Sequence, residues 1–210
     1  MRLAKKTSNL FRSREAAEAG LDVSGLGGVI EVDPVAKTAD VQGMCTYEDL
    51  VDATLPYGLA PLVVPQLKTI TLGGAVSGMG VESTSFRNGL PHESVLEMDV
   101  LVGTGEIITC SREENVELFR AFPNSYGSLG YVVRLKIELE DVAPFVELAH
   151  VRYNDLEQFQ DALAAAAANG TWEGREIHGL DAVAFSTDEQ YLVLAFQADN
   201  APGTSDYTHD

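Results

Sequence analysis

The sequence predicts an α+β fold, and three observations predict it. Short β-branched segments alternate in polarity and return through tight turns, as Val29-Ile-Glu-Val-Asp33 does into Thr38-Ala-Asp-Val-Gln42. Short amphipathic helices stand between these hairpins. Beyond Pro144 the order becomes strand, helix, strand, strand, which opens a second α+β unit. With 210 residues and 45% hydrophobic content, the chain has the composition of a globular protein able to bury a sizeable core.

Taken in order, Asp33-Pro34 begins the first hairpin turn, which spans Pro34 to Lys37, and Gly43 closes the hairpin. Thr46 is the expected N-cap of a helix over Tyr47 to Leu55, with Asp49 three residues on. Leu50, Val51 and Leu55 form its apolar face, and Pro56-Tyr-Gly58 stops it. Leu62 to Val64 reads as a short strand between Pro61 and Pro65. A glycine- and hydroxyl-rich segment follows from Pro65 to Glu82 and reads as an irregular loop, with glycines at 73, 74, 78 and 80. Glycines there expose bare backbone N–H groups to a large anionic ligand, or else only form a turn.

Asn88-Gly89 is a turn signal, and Val95 to Val102 and Ile107 to Cys110 form a hairpin about Thr104-Gly-Glu106. Asn115 to Phe122 is a short helix. Ser125-Tyr-Gly127-Ser-Leu-Gly130 is a second glycine-rich turn, and Val132 to Leu139 alternates like a half-buried strand. The expected boundary lies near residues 141–145. Past it come a strand at Val146 to Tyr153, an alanine-rich helix over Asp155 to Ala168 stopped by Asn169-Gly170, and strands at Asp181 to Phe185 and Tyr191 to Phe196. The predicted organisation is 1–143, 144–198 and a disordered tail over 199–210.

Charge narrows the functions. Thirty-two acidic against 14 basic residues give a net charge of -18, which repels nucleic acid and anionic lipid. Met1 to Arg14 runs against this trend, carrying Arg2, Lys5, Lys6, Arg12 and Arg14 and no acid. It reads either as a solvated or targeting terminus or as a phosphate-facing loop around Lys6, Thr7, Ser8 and Asn9. No apolar run reaches the roughly 20 residues of a membrane span, and the opening lacks the apolar core of a signal peptide. Cys45 and Cys110 are too few for a zinc site or a disulfide framework, so a reducing cytoplasm is the expected compartment.

The chemistry-bearing patterns exclude more than they assign. There is no Gly-x4-Gly-Lys-Ser/Thr phosphate loop, and Gly78-Met-Gly80-Val-Glu-Ser lacks the third glycine of a dinucleotide fingerprint. His92, His150, His178 and His209 are scattered, and no Gly-x-Ser-x-Gly elbow accompanies them. A cofactor held by irregular glycine loops remains.

Ile30-Glu-Val-Asp33, Thr38 to Gly43, Thr46-Tyr-Glu-Asp-Leu50, Gly58 to Pro65, Thr71-Leu-Gly-Gly74, Gly78 to Ser83, Asn88-Gly-Leu90 and Tyr126 to Tyr131 occur in one order. That combination resembles the FAD-binding domain of the vanillyl-alcohol oxidase and p-cresol methylhydroxylase flavoprotein superfamily, and within it the oxidoreductases similar to delta-24 sterol reductase. The resemblance covers residues 1 to about 153 and implies two α+β subdomains followed by the start of a substrate domain.

It further implies that Lys6, Thr7, Ser8 and Asn9 wrap the pyrophosphate, and that Thr71, Leu72, Gly73, Gly74, Ser77 and Gly78 run beside pyrophosphate and flavin. Gly127, Gly130, Tyr131 and Val132 would border the adenine. Family members carry a longer N-terminal region and a longer substrate domain, so a truncated chain, with a possible missing complementary segment, is expected. Some members bond FAD to a histidine of the first loop. No histidine precedes Gly43, so non-covalent FAD is expected. The implied activity is oxidation of a small organic substrate or reduction of a C=C bond; a non-catalytic remnant that binds FAD weakly or serves as an interaction module is the alternative. Glu82, Arg87 and His92 are candidates for acid–base roles, or else ordinary loop residues.

Overall fold

The computed structural model describes residues 3–4 and 21–204. These divide into two compact units, one of residues up to Glu82 with Asn88–Asp141, the other of Ser83–Arg87 with Val142 onward.

The first unit opens with a parallel pairing of β1 (Leu3–Ala4) and β2 (Leu21–Asp22). Next comes the hairpin of β3 (Val29–Asp33) and β4 (Thr38–Gln42). Its turn forms because Asp33 Oδ1 accepts from the N–H groups of Val35 and Ala36, and Lys37 takes a left-handed φ of 52°. Helix α1 (Tyr47–Thr54) starts where the sequence places it. Thr46 Oγ1 accepts from Asp49 N–H at 3.2 Å and donates to the Asp49 carboxylate at 2.6 Å. Gly58, at φ 68°, ends the turn that follows α1.

The strand expected at Leu62 to Val64 is instead β5 (Leu59–Pro61), which pairs antiparallel with Leu139–Asp141. Pro61 has no N–H to extend the ladder, and Asn88 Nδ2 takes the carbonyl of Leu62 at 2.6 Å. The glycine segment also differs from an irregular loop. Leu72–Gly78 forms a helix, α2, because Thr71 is extended and its Oγ1 caps Gly74 N–H. A single-turn helix, α3 (Ser85–Asn88), follows, with Ser85 to Arg87 counted in the second unit, and Gly89 has φ 74°.

The hairpin of β6 (Val95–Leu101) and β7 (Ile107–Ser111), the short helix α4 (Val116–Ala121) and the long strand β8 (Tyr131–Asp141) complete the unit. The sheet runs β3-β4-β8-β6-β7, antiparallel throughout, with β5 also on β8. Alternation sorts its faces. Ala39, Val41, Val100, Met98, Leu135 and Ile137 are buried in one core with Tyr47 and Leu50 of α1, Leu72, Ala75 and Val76 of α2, and Phe122. On the opposite face Arg134 of β8 makes a bidentate pair with Asp40 of β4 and reaches Glu97 of β6 at 2.7 Å.

The second unit is a three-stranded antiparallel sheet, ordered β12 (Gly179–Ser186), β13 (Glu189–Ala198), β9 (Phe145–Tyr153). Helix α5 (Leu156–Asn169) is capped by Asp155 and stopped by Gly170 at φ 64°. Its Phe159 and Ala166 share a core with Ile177, Leu192, Leu194 and Phe196. A small hairpin, β10 (Thr171–Trp172) and β11 (Arg175–Glu176), was not predicted; Glu173 and Gly174 both adopt positive φ to make its two-residue turn. Residues 199–204 carry no helix or strand, and the rest of the expected tail lies outside the described residues. Among the described residues no helix is long and apolar enough to cross a membrane.

Both cysteines are fully buried and unpaired. Burial, reinforced by Asp49, pushes the Cys45 thiol up to about 12, and burial with nearby acids pushes Cys110 up to about 11. Neither thiol is expected to react with Ellman's reagent in native protein at pH 8, and both should react once it is denatured. At Gly43 an added Cβ would press against main chain, 2.1 Å from the carbonyl oxygen of Val132. Gly43→Ala is therefore expected to cost about 3 kcal/mol in denaturant unfolding. Gly25→Ala, with nothing within 4 Å, should be close to neutral.

Candidate functional site

Two glycine-rich segments far apart in sequence meet in the first unit. Helix α2 enters through Thr71, which is buried and extended. The first amides of the helix are not free for an anion, contrary to the expectation of bare N–H groups. Leu72 N–H donates to Cys45 O at 2.9 Å, Gly73 N–H to Gly43 O at 3.0 Å, and Gly74 N–H to Thr71 Oγ1 at 3.2 Å. The reason is close docking of α2 on the sheet: a Cβ on Gly73 would lie 2.6 Å from both Gly43 O and Val132 Cγ1. Gly73 serves packing.

Gly74 and Gly78 behave differently. They stand one turn apart on the same face of α2, Gly74 exposed and Gly78 half-buried. A Cβ at Gly78 would meet nothing nearer than Tyr126 Cε1 at 3.9 Å, and one at Gly74 only the hydroxyl of its own cap at 2.9 Å. Ser77 adjoins them and donates its Oγ–H to Gly74 O at 3.3 Å. The protein leaves this helix face bare.

The loop at residues 124–130 closes the other end of α2. Tyr126 donates its N–H to Ser77 O at 3.1 Å and its phenol O–H to Gly78 O at 3.2 Å, where Met79 ends the helix in a left-handed conformation. The loop is strained. Asn124 and Tyr126 hold φ of 60° and 49°, Gly127 83° and Gly130 146°. Gly130 has no room for a side chain, since a Cβ would stand 2.5 Å from Leu101 O. Gly127 approaches the ring of Tyr131 (3.5 Å from an added Cβ), and Ser125 Oγ is buried without a hydrogen-bond partner.

The structure thus brings Thr71, Leu72, Gly73, Gly74, Ser77 and Gly78 together with Gly127, Gly130, Tyr131 and Val132, through the Gly73–Val132 and Gly78–Tyr126 approaches. Lys6, Thr7, Ser8 and Asn9 lie outside the described residues. Gly43 and Tyr126 carry more of the geometry than the sequence suggested: Gly43 reads only as a strand end, and Tyr126 as filler between glycines. Glu82 and His92 belong to the first unit, where Glu82 accepts from Gln66 N–H at 3.3 Å and His92 lines a separate cleft, and Arg87 belongs to the second. There Arg87 donates Nε–H to His178 O at 2.9 Å and approaches His178 Nδ1 at 3.0 Å. Among the described residues no cluster of His, Cys, Asp or Glu is arranged to hold a metal.

The model of the FAD binding domain family matches residues 4–111. The chain belongs to that family. It is 36% identical over 124 residues to cytokinin dehydrogenase 7 of Oryza sativa subsp. japonica, covering 59% of this chain and 24% of that protein. It is 32% identical over 157 residues to cytokinin dehydrogenase 9 of the same plant, covering 73% and 30%. With cytokinin dehydrogenase 5 of Arabidopsis thaliana it shares 34% over 130 residues, 62% and 24% of the two chains. The matched part of the chain spans 24% to 30% of the length of these relatives.

As an FAD binding domain, its cofactor is a large group with a flat ring system and a pyrophosphate. The bare face of Gly74, Ser77 and Gly78 fits a group laid against helix backbone. The amides of Leu72, Gly73 and Gly74 are already used, so pyrophosphate contacts of this domain fall to other donors.

Thr71 is first a cap in this arrangement. Thr71→Ala is expected to destabilise the FAD-free chain by about 1 kcal/mol, with Thr71→Ser recovering most of it, measured by chemical denaturation.

Proposed function

We propose that this chain is the FAD-holding portion of an oxidoreductase that dehydrogenates a small organic substrate. One observation carries the reading: in a chain of the FAD binding family, Gly78 has no packing reason to be glycine. With the exposed Gly74 one turn before it, it keeps one face of α2 open, while Gly73 is required by the sheet. The names of the relatives, all cytokinin dehydrogenases, support dehydrogenation as the direction of the chemistry.

In this reading Gly74 and Gly78 admit the cofactor to van der Waals contact with the backbone of α2. Ser77 offers a hydroxyl on the same face, and the 124–130 loop, fastened to α2 by Tyr126, forms the adjoining wall. Lys6, Thr7, Ser8 and Asn9 supply cationic and hydroxyl donors for the pyrophosphate, in place of the used amides of α2. Bound FAD itself supplies the electron acceptor for the substrate's hydride. The protein's part is orientation, exclusion of water and electrostatic tuning.

A weakly binding, non-catalytic module is the second reading, favoured by the internal use of the Leu72–Gly74 amides. Titration of the purified chain with FAD, followed by quenching of flavin fluorescence, separates the two. Tight, saturable quenching with FAD released by acid is expected. Gly78→Ala tests the site within the same experiment. Because Ala is favoured over Gly in a helix by about 1 kcal/mol and meets no clash, this variant should melt no lower than the parent. It should still bind FAD at least about tenfold more weakly, a loss of about 1.4 kcal/mol. Unchanged FAD affinity in the variant would remove α2 from the cofactor site, and a chain that never quenches FAD would end the proposal.

A further inference from the structure

On the far side of α2 from the bare glycine face lies a cleft of about 580 Å3. Val76 forms part of its wall, about 160° round the helix from both Gly74 and Gly78 by the 100° step of an α-helix. The two sites are therefore served by opposite faces of one element. The cleft is within the roughly 300–1,000 Å3 of pockets that hold small organic molecules.

Its lining is amphipathic. Half-buried Met79, Phe119 and Pro123 supply its accessible apolar surface over the buried Val76 and Met98, while Arg112 and Arg120 are exposed beside them. Neither arginine makes an ion pair with any described residue, in a chain carrying 32 acidic side chains. Arg112 donates to a neutral acceptor, the carbonyl oxygen of Glu93, at 3.2 Å. Glu93 is the acid that lines the cleft, and its carboxylate is turned to the Leu90 N–H at 2.6 Å. His92 lines the cleft as well, and its Nδ1 is buried with no hydrogen-bond partner. A buried ring nitrogen left without a partner is rare in folded proteins and is relieved by a ligand that donates to it or accepts from it.

We propose that this cleft binds a small organic carboxylate with an apolar body, distinct from the cofactor. The carboxylate pairs with the guanidinium groups of Arg112 and Arg120, whose planar forks match its two oxygens. The apolar body covers Met79, Phe119 and Pro123, and a polar atom of the ligand meets His92 Nδ1. Binding adds no covalent or redox step.

The test uses the full chain loaded with FAD and two probes of one shape, 4-phenylbutyrate and the uncharged 4-phenylbutan-1-ol, titrated by calorimetry. Saturable binding of the acid, at least roughly tenfold tighter than the alcohol, is expected. Replacing both exposed cations, Arg112→Gln with Arg120→Gln, should weaken the acid by a similar factor and leave the alcohol and the melting temperature unchanged. Backbone amide shifts in the NMR spectrum should cluster at Val76, His92 and Phe119. Equal binding of acid and alcohol, no saturable binding of the acid, unchanged acid binding in the double variant, or shifts confined to other residues would each overturn the proposal. None of these readouts depends on turnover, so they stand whether or not the chain proves to be a dehydrogenase.

Discussion

The first unit depends on one close approach of three backbones. Gly43, at the end of β4, donates to Val133 O at 2.9 Å and accepts from Gly73 N–H at 3.0 Å. Neither glycine has space for a Cβ, since the nearest backbone oxygens would be 2.1 and 2.6 Å away. No side chain separates helix from sheet here. The first hairpin, the central strand β8 and helix α2 are held in fixed register by main-chain bonds, a firmer constraint than interdigitated side chains provide. With α2 so placed, Leu72, Ala75 and Val76 enter the core and Gly74 and Gly78 turn away from it. The openness of one face follows from the tightness of the other.

A helix of seven residues is far below the roughly 12–15 needed for stability in isolation, so its order comes from its ends and its buried side. At the start, Thr71 caps Gly74 and bridges to Thr46, while Tyr47 N–H and Glu48 N–H bond to Ile70 O and Lys68 O. Two N-caps are thereby built against each other, one for α1 and one for α2. At the finish, Tyr126 satisfies two carbonyls that the helix cannot satisfy itself. Holding Tyr126 there requires a positive φ at a bulky residue, a cost sustained by these bonds and by the glycines on either side of its loop. A backbone fixed at both ends in this way is preorganised for a rigid, flat ligand.

Much of this fold was legible because its local and global signals agree. The Thr46 cap, the Asp33 turn, the Thr104-Gly105 hairpin and the Asp155 and Gly170 helix limits all lie within a residue or two of their expected positions. The failures share a cause. A run of Leu-Gly-Gly-Ala-Val-Ser-Gly reads as loop by propensity, and it becomes a helix only through bonds to Gly43, Cys45 and Tyr126, which no local window contains. Glu173-Gly174 carries no clear turn signal, because Glu is an uncommon first residue for a turn that needs positive φ at both positions. Leu62 to Val64 is apolar enough for a strand, but its hydrogen-bonding partner is a side chain, Asn88, 26 residues on. At the candidate site the sequence named two segments that the structure brings together, and it missed the division of labour between adjacent glycines. Gly73 and Gly74 differ only in what lies across from them.

The acid excess bears on the same sheet from its other side. Asp40, Glu97 and Asp99 stand on β4 and β6, flanking β8, where unopposed carboxylates would repel across the strands. Arg134 lies between them and bonds all three, and its hydrogen bond to Asp40 leads the causes that raise its pKa above the ordinary arginine value. Lysine, a point charge without a planar fork, has no equivalent geometry for a bidentate hold on Asp40 together with Glu97. The value of this cation is the repulsion it removes rather than an attraction it adds, because the group is partly exposed and water weakens each pair. A chain with 14 cations against 32 acids tolerates its charge by placing a guanidinium where strands bring acids together. Arg175 does the same for Glu147 in the second unit, with its guanidinium 4.0 Å above the ring of Phe196. Arg112 and Arg120 hold no described acid in check, and their position at the mouth of an apolar cleft is the consequence that distinguishes them from the rest.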